Sequence, residues 1–151
     1  WHQDNTYWHS MQGTDVTTVW LAIDDTDRAN GCMQVIPCTH EGYPELDKVS
    51  TGGDDLLGLT VEVTPEMESA AVCLEMPAGS LSLHDSFVLH GSDSNTSGRR
   101  RAAYTMRYAN ASTVTVNTAE HWVPVYLVRG EADNPDYIDL RPDQPLPKLI
   151  S

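Results

Sequence analysis

Positive charge is what this chain has least of. Nine Lys plus Arg stand against 22 Asp plus Glu, for a net charge of −13 and a pI near 4.5. Only Lys48 and Lys148 are lysines. A surface of that sign repels phosphate backbones and anionic lipid, which argues against nucleic-acid partners and polybasic membrane docking. Long apolar runs are also missing; none reaches the ~18 residues a transmembrane helix needs. Cysteine is sparse. Cys32, Cys38 and Cys73 are an odd set without a CxxC pair, which excludes a disulfide framework or zinc ribbon and reads as reduced core residues. The sequons at Asn95 and Asn110 carry no meaning without a secretory route. What remains is a cytoplasmic protein, monomer or homodimer, whose partner is a small molecule.

What is present supports one globular domain. The 151 residues are 40% hydrophobic and 21% charged, enough to bury a core and too apolar for general disorder. The hydrophobic period is two rather than 3.6. Residues 15–22, 59–63, 71–76, 80–84, 86–90, 102–108 and 123–128 alternate or carry β-branched and aromatic residues, and 32–37 is a short apolar run. Turn signals such as Asn30-Gly31, Gly52-Gly53 and Pro77-Ala78-Gly79 separate them. Short strands with frequent turns predict an all-β sandwich or barrel. One minor helix is expected around Pro65 to Ala71, with Pro65 in its first turn. The domain core is expected over residues 1–130, with an extended, acidic, Pro-rich tail over 131–151.

Two constellations could carry chemistry. In His2-Gln3-Asp4 an extended backbone turns residues i and i+2 to the same face, about 7 Å apart at the backbone. A metal needs a third ligand, and His90 is the best candidate, at a strand end followed by Gly91-Ser92. Two histidines and one carboxylate leave the opposite face of a metal open, the facial triad of non-haem Fe(II) oxygenases. The bland alternative is a strand-end His bonded to Asp. The second constellation is Arg99-Arg100-Arg101, at the far end of the turn that follows His90. A guanidinium returned beside His90 could hold a dicarboxylate through a bidentate pair. The alternative is a solvated basic run, weakened by the acidity of everything around it.

These blocks, together with Trp20-Leu21-Ala22-Ile23-Asp24-Asp25, the stretch Asn30 to His40, and Pro77 to Asp85, resemble the phytanoyl-CoA dioxygenase family from Trp1 to about Tyr108. The resemblance implies a double-stranded β-helix, the cupin-like jelly-roll barrel, here starting inside the domain and so incomplete at its N-terminus. It implies an Fe(II)- and 2-oxoglutarate-dependent dioxygenase using O2. Such an enzyme hydroxylates an aliphatic C–H of a small molecule and converts 2-oxoglutarate to succinate and CO2. By resemblance His2, Asp4 and His90 are the iron ligands. Arg101 pairs with the far carboxylate of 2-oxoglutarate, Arg99 and Arg100 being its competitors. Ser92 helps hold the same group, and Trp8 and Trp20 line the cosubstrate pocket. Asn30 shapes the pocket wall, while Gln3, Asn5 and Tyr7 flank the triad. His40 and His84 are set aside as ligands because the triad is complete. Asp4 favours hydroxylation over halogenation. Cys38 departs from the family's usual Gly, which puts the local turn in question. The family's substrates range from acyl-CoA esters to amino acids and alkaloids, and the substrate stays open. The alternative is a metal-binding jelly roll that is non-catalytic or catalyses another reaction.

Overall fold

The computed structural model describes residues 1–53, 57–116, 123 and 125–130. The boundary expected at residue 130 and the tail over 131–151 therefore fall at or outside the described residues.

The architecture is antiparallel β with one short helix. Its strands are β1 Met11–Gln12, β2 Val16–Ala22, β3 Met33–Val35, β4 Lys48–Ser50, β5 Leu59–Val61, β6 Val72–Cys73, β7 Leu81–Asp85, β8 His90–Ser92, β9 Ala103–Ala109 and β10 Thr115–Val116. Two three-stranded sheets carry the site, in the orders β7-β2-β9 and β6-β3-β8. The β1-β10 and β4-β5 pairs flank them. This is the all-β class that the alternation predicts, in keeping with the jelly roll that the resemblance implies.

The central strand β2 shows why. Val16, Thr18, Trp20 and Ala22 point inward and are buried, while Thr17 between them is exposed. That is the period of two expected of a strand with one covered face. Trp20 and Ala22 pack with Met33 of the second sheet, so one apolar cluster joins the two sheets. A second cluster, Ile36, Val61 and Leu89, lies under the second sheet.

The helix α1, Pro65–Ser69, starts where expected. Pro65 occupies its first turn, and the Thr64 hydroxyl accepts from the Met67 N–H, satisfying one of the free donors of that turn. Among the described residues no helix is long and apolar enough to cross a membrane.

Three expectations need correction. Residues 86–89 are not a strand. The Asp85 carboxylate accepts from the Phe87 N–H and its carbonyl from the Val88 N–H, so the chain turns. His90 therefore opens β8 instead of closing the preceding run. Of residues 123–128, the described ones form no more than a single-residue bridge at Val125. Cys32 is buried, but Cys73 is half-buried and Cys38 exposed, all three as free thiols. Only Cys32 is a core residue.

Cys38 adopts φ 65°, the left-handed region that glycine occupies without strain. The turn is thus kept in spite of the side chain. It is held by the Glu41 N–H on the Cys38 carbonyl and by Thr39, whose hydroxyl donates to Ile36 O and accepts from the Leu89 N–H. Cys38→Gly is expected to raise stability by roughly 0.5–1 kcal/mol, the left-handed strain relieved less the added freedom of the unfolded chain. Thermal denaturation should show a small upward shift; a lower midpoint would mean that the thiol makes a compensating contact.

Candidate metal centre

The site begins with a backbone pairing. His2 and His90 form an antiparallel bridge, with the His2 N–H donating to His90 O at 2.9 Å and the His90 N–H to His2 O at 3.0 Å. Their imidazole rings lie 4.1 Å apart between centroids. Gln3 is extended (φ −110°, ψ 135°), so His2 and Asp4 share a face as the HxD spacing predicts. Asp4 then opens a 3-10 turn, Asp4–Tyr7. Gln3 points the other way and is fully buried, donating to the carbonyls of Phe87 and Pro44. It anchors the segment and does not face a substrate. Tyr7 meets His2 edge-on at 5.8 Å.

Three ligand atoms converge. One atom each from His2, Asp4 and His90 lie within 4.8 Å of one another. His2 Nε2 is 3.9 Å and His90 Nε2 3.6 Å from Asp4 Oδ1. The chemistry of this donor set fits a divalent cation. His90 Nδ1 is 3.0 Å from Val88 O, and a carbonyl only accepts, so Nδ1 carries the proton. In the neutral ring Nε2 then offers a lone pair toward an anionic oxygen. Two electron-rich atoms facing each other are stabilised by a cation between them.

The electrostatics agree. Burial holds the His2 imidazole down at about 4, helped by the neighbouring His90 and opposed by Asp4. His2 is therefore neutral at pH 7, as a ligand must be. Burial on its own would raise the Asp4 carboxyl. The imidazoles of His84 and His90 and the Thr18 hydroxyl outweigh it and hold Asp4 well below the usual carboxylate range.

The remaining candidates divide sharply. Trp20, Ser92 and Arg101 line the same cavity as the three ligands, a space of about 580 Å³. The Arg101 guanidinium lies over the Trp20 ring, 5.9 Å from its centroid. Arg99 and Arg100 do not join it. Arg99 donates to both carboxylate oxygens of Asp27 at 2.7 Å, and Arg100 pairs with both of Asp24 at 2.7 and 2.8 Å. Trp8 is not in the cavity wall. It packs against Val16 and Val114 and sits under Arg107, 5.7 Å from the guanidinium carbon. Asn30 is fully buried and bonds to Asp27 N and Asp25 O, so it shapes the turn behind the site. Gly31 beside it has φ 74°, and any Cβ there would meet Asp93 O at 2.5 Å. His40 lies outside the group of ligand atoms.

Three more residues approach Asp4: Thr18 and Arg107, which have no counterpart in the motif reading, and His84, which enters it only as a rejected ligand. Thr18 donates to Asp4 Oδ2 at 2.6 Å. His84 Nε2 lies 3.5 Å from the same oxygen. Arg107 Nη2 is 4.0 Å from Oδ1. All three line the cavity. His84 is outside the set of converging ligand atoms.

The family model described as phytanoyl-CoA dioxygenase matches residues 1–103. The phytanoyl-CoA dioxygenase domain-containing protein 1 homolog of Dictyostelium discoideum is 32% identical over 128 residues, covering 81% of this chain and 44% of its own length. Among solved structures, the non-heme monooxygenase ThoJ in its apo form superposes with a TM-score of 0.75 at 28% identity. That match covers 95% of this chain and 50% of ThoJ. EvdO2 from Micromonospora carbonacea var. aurantiaca, complexed with 2-oxoglutarate, gives a TM-score of 0.59 at 26% identity, over 75% of this chain and 47% of EvdO2. The chain spans about half the length of the relatives it matches.

The low proton affinity of His2 has a measurable consequence. Unfolded His2 takes up a proton near 6.5, folded His2 only near 4. Between those values the unfolded state binds more protons, so stability rises with pH across the window. Metal-free protein is expected to lose resistance to urea as pH drops from 6.5 toward 4, and His2→Gln to lose less over the same interval. Identical pH profiles for the two proteins would contradict the burial of a neutral His2.

Proposed function

The chain belongs to the phytanoyl-CoA dioxygenase family, and on that footing we propose that it is an Fe(II)- and 2-oxoglutarate-dependent oxygenase that hydroxylates an aliphatic C–H of a small molecule. One observation carries the reading. A three-ligand group and an arginine with no carboxylate partner among the described residues open into one cavity.

His2, His90 and Asp4 are the residues that would hold the iron. Two imidazoles and one carboxylate leave positions on the metal for a chelating cosubstrate. Bound iron and 2-oxoglutarate together supply the activation of O2, with 2-oxoglutarate leaving as succinate and CO2. The protein's own work is positioning. Arg101 is the residue for the far carboxylate, with Ser92 lining the same cavity. The Trp20 ring, 5.9 Å from the guanidinium carbon of Arg101, offers that cation an aromatic face within the same cavity.

The choice among the three arginines has a physical basis. Asp24 and Asp27 already neutralise Arg100 and Arg99. Those pairs lie on the surface and contribute little stability. They keep Arg99 and Arg100 on the outside, while the next residue, Arg101, lines the cavity. The Asp24 carboxylate also accepts from the Ala102 N–H, which sets the start of β9.

Anaerobic titration with Fe(II) and 2-oxoglutarate tests the reading through the visible absorption of the metal–cosubstrate complex. Asp4→Ala is expected to abolish that band while the fold survives. Arg101→Ala is expected to weaken 2-oxoglutarate binding about 10- to 100-fold, the loss of a charged hydrogen-bonded pair worth roughly 1.5–3 kcal/mol. Arg100→Ala should bind it like the unaltered chain. A full loss on Arg100→Ala would move the clamp by one residue. No band from the unaltered chain would favour a jelly roll that holds metal without this chemistry.

A further inference from the structure

The two sheet registers around β2 place three polar residues in one row. Thr18 on β2 is opposite His84 on β7 and opposite Arg107 on β9. One residue from each of three strands thus lies at the same level of the sheet, and each approaches the Asp4 carboxylate. The approach is divided by oxygen. His2, His90 and Arg107 are on the Oδ1 side. Thr18 and His84 are on the Oδ2 side.

His84 is the odd member of the row. It is 9% exposed, and neither of its ring nitrogens makes a hydrogen bond. A buried imidazole with both nitrogens unmet costs free energy comparable to lost hydrogen bonds. An apolar side chain at that level of the sheet would avoid the cost. Asp4 Oδ2 lies 3.5 Å from Nε2, and a shift of about 0.5 Å brings the pair into hydrogen-bonding range.

We propose that His84, acting with Thr18, is a positioning residue that occupies Asp4 Oδ2 and so restricts Asp4 to holding a metal through Oδ1 alone. A carboxylate oxygen offers two lone-pair directions. The Thr18 O–H fills one, and an Nε2–H of His84 fills the other. Oδ1 then remains for the cation shared with His2 and His90. A carboxylate that closes on a metal with both oxygens takes up a second position. One held to a single oxygen leaves that position for other ligands. The role also fits the general pattern in which residues behind a ligand fix its orientation. This inference rests on the metal reading of His2, Asp4 and His90, and its test keeps the two apart.

Co(II) alone is the probe, added to the metal-free chain and followed by dissociation constant and by the visible d–d absorption, whose intensity reports coordination number. His84→Leu is expected to raise the Co(II) dissociation constant about 10- to 100-fold and to change the absorption intensity. Its metal-free thermal midpoint should stay close to that of the unaltered chain, because loss of the long contact with Asp4 Oδ2 is offset by removal of a buried ring whose Nδ1 is unmet. A merely structural histidine would show the opposite split, a lower midpoint with unchanged metal binding, and that result overturns the proposal. His84→Asn, which keeps an N–H donor, is expected to restore most of the affinity and the original band intensity. Thr18→Val, which removes the other donor to the same oxygen, should weaken Co(II) in the same direction as His84→Leu. It decides the matter if His84→Leu does not fold: an unchanged constant and spectrum in folded Thr18→Val overturns the proposal. Failure of the unaltered chain to bind Co(II) overturns the metal reading and this inference with it. Binding by the unaltered chain that His84→Leu reproduces in constant and spectrum overturns this inference alone.

Discussion

The site depends on a pair of backbone hydrogen bonds. His2 and His90 exchange N–H and C=O groups across a single antiparallel bridge, which brings two residues from distant parts of the chain to a fixed separation. Their rings are then neighbours by construction. The extended Gln3 between His2 and Asp4 delivers the third ligand to the same face, and its own side chain is fastened to two carbonyls on the opposite side. Nothing about the three-ligand group relies on side-chain flexibility; the backbone has already settled the distances. One of the three residues sits on a strand, and the other two are tied to it by a bridge and a 3-10 turn.

Around this pair the acidic character of the chain acquires a local purpose. Most of the carboxylates serve to keep the surface anionic. Asp24 and Asp27 are exceptions, since the arginine each binds lowers its carboxyl from the ordinary value. By taking Arg100 and Arg99, they turn a run of three cations into one inward-facing guanidinium. The cavity lining thus sets Arg101 and Arg107 against Asp4 and Asp93, a balanced space inside a protein whose outside repels large polyanions. A compact dicarboxylate can enter such a space more readily than a polymer of phosphates.

How much of this was legible in the sequence can be judged residue by residue. The HxD spacing is legible as far as geometry goes, since one extended residue, Gln3, puts His2 and Asp4 on the same face. β2, β9 and α1 followed from alternation and from a proline at a helix start. The strand expected over residues 86–90 failed because hydrophobic composition cannot reveal a turn made by the Asp85 side chain. Leu89 is buried all the same, which shows that burial and extended pairing are separate facts. His84 was set aside on the argument that three ligands suffice. That argument addresses ligation only, and the histidine's contact with Asp4 depends on which residue of β7 stands opposite Thr18. Register across a sheet is a long-range property. Arg107 was missed for the same reason, since its level on β9 is set by pairing with β2. Cys38 was legible as a departure from glycine, but only its φ shows that the turn kept its shape.

The bridge between residues 2 and 90 also bears on how the protein comes apart. Two ligands drawn from opposite ends of that span meet only after the intervening chain has been threaded through both sheets, so an ion bound there is a staple across the whole topology. Its loss and the separation of the sheets are linked events: the ion leaves easily only if the bridge opens, and the bridge opens at greater cost while the ion stays. Affinity for the ion and resistance of the entire domain to global unfolding are then two readings of one free energy. Scarcity of such an ion would be felt as shorter lifetime of the folded chain.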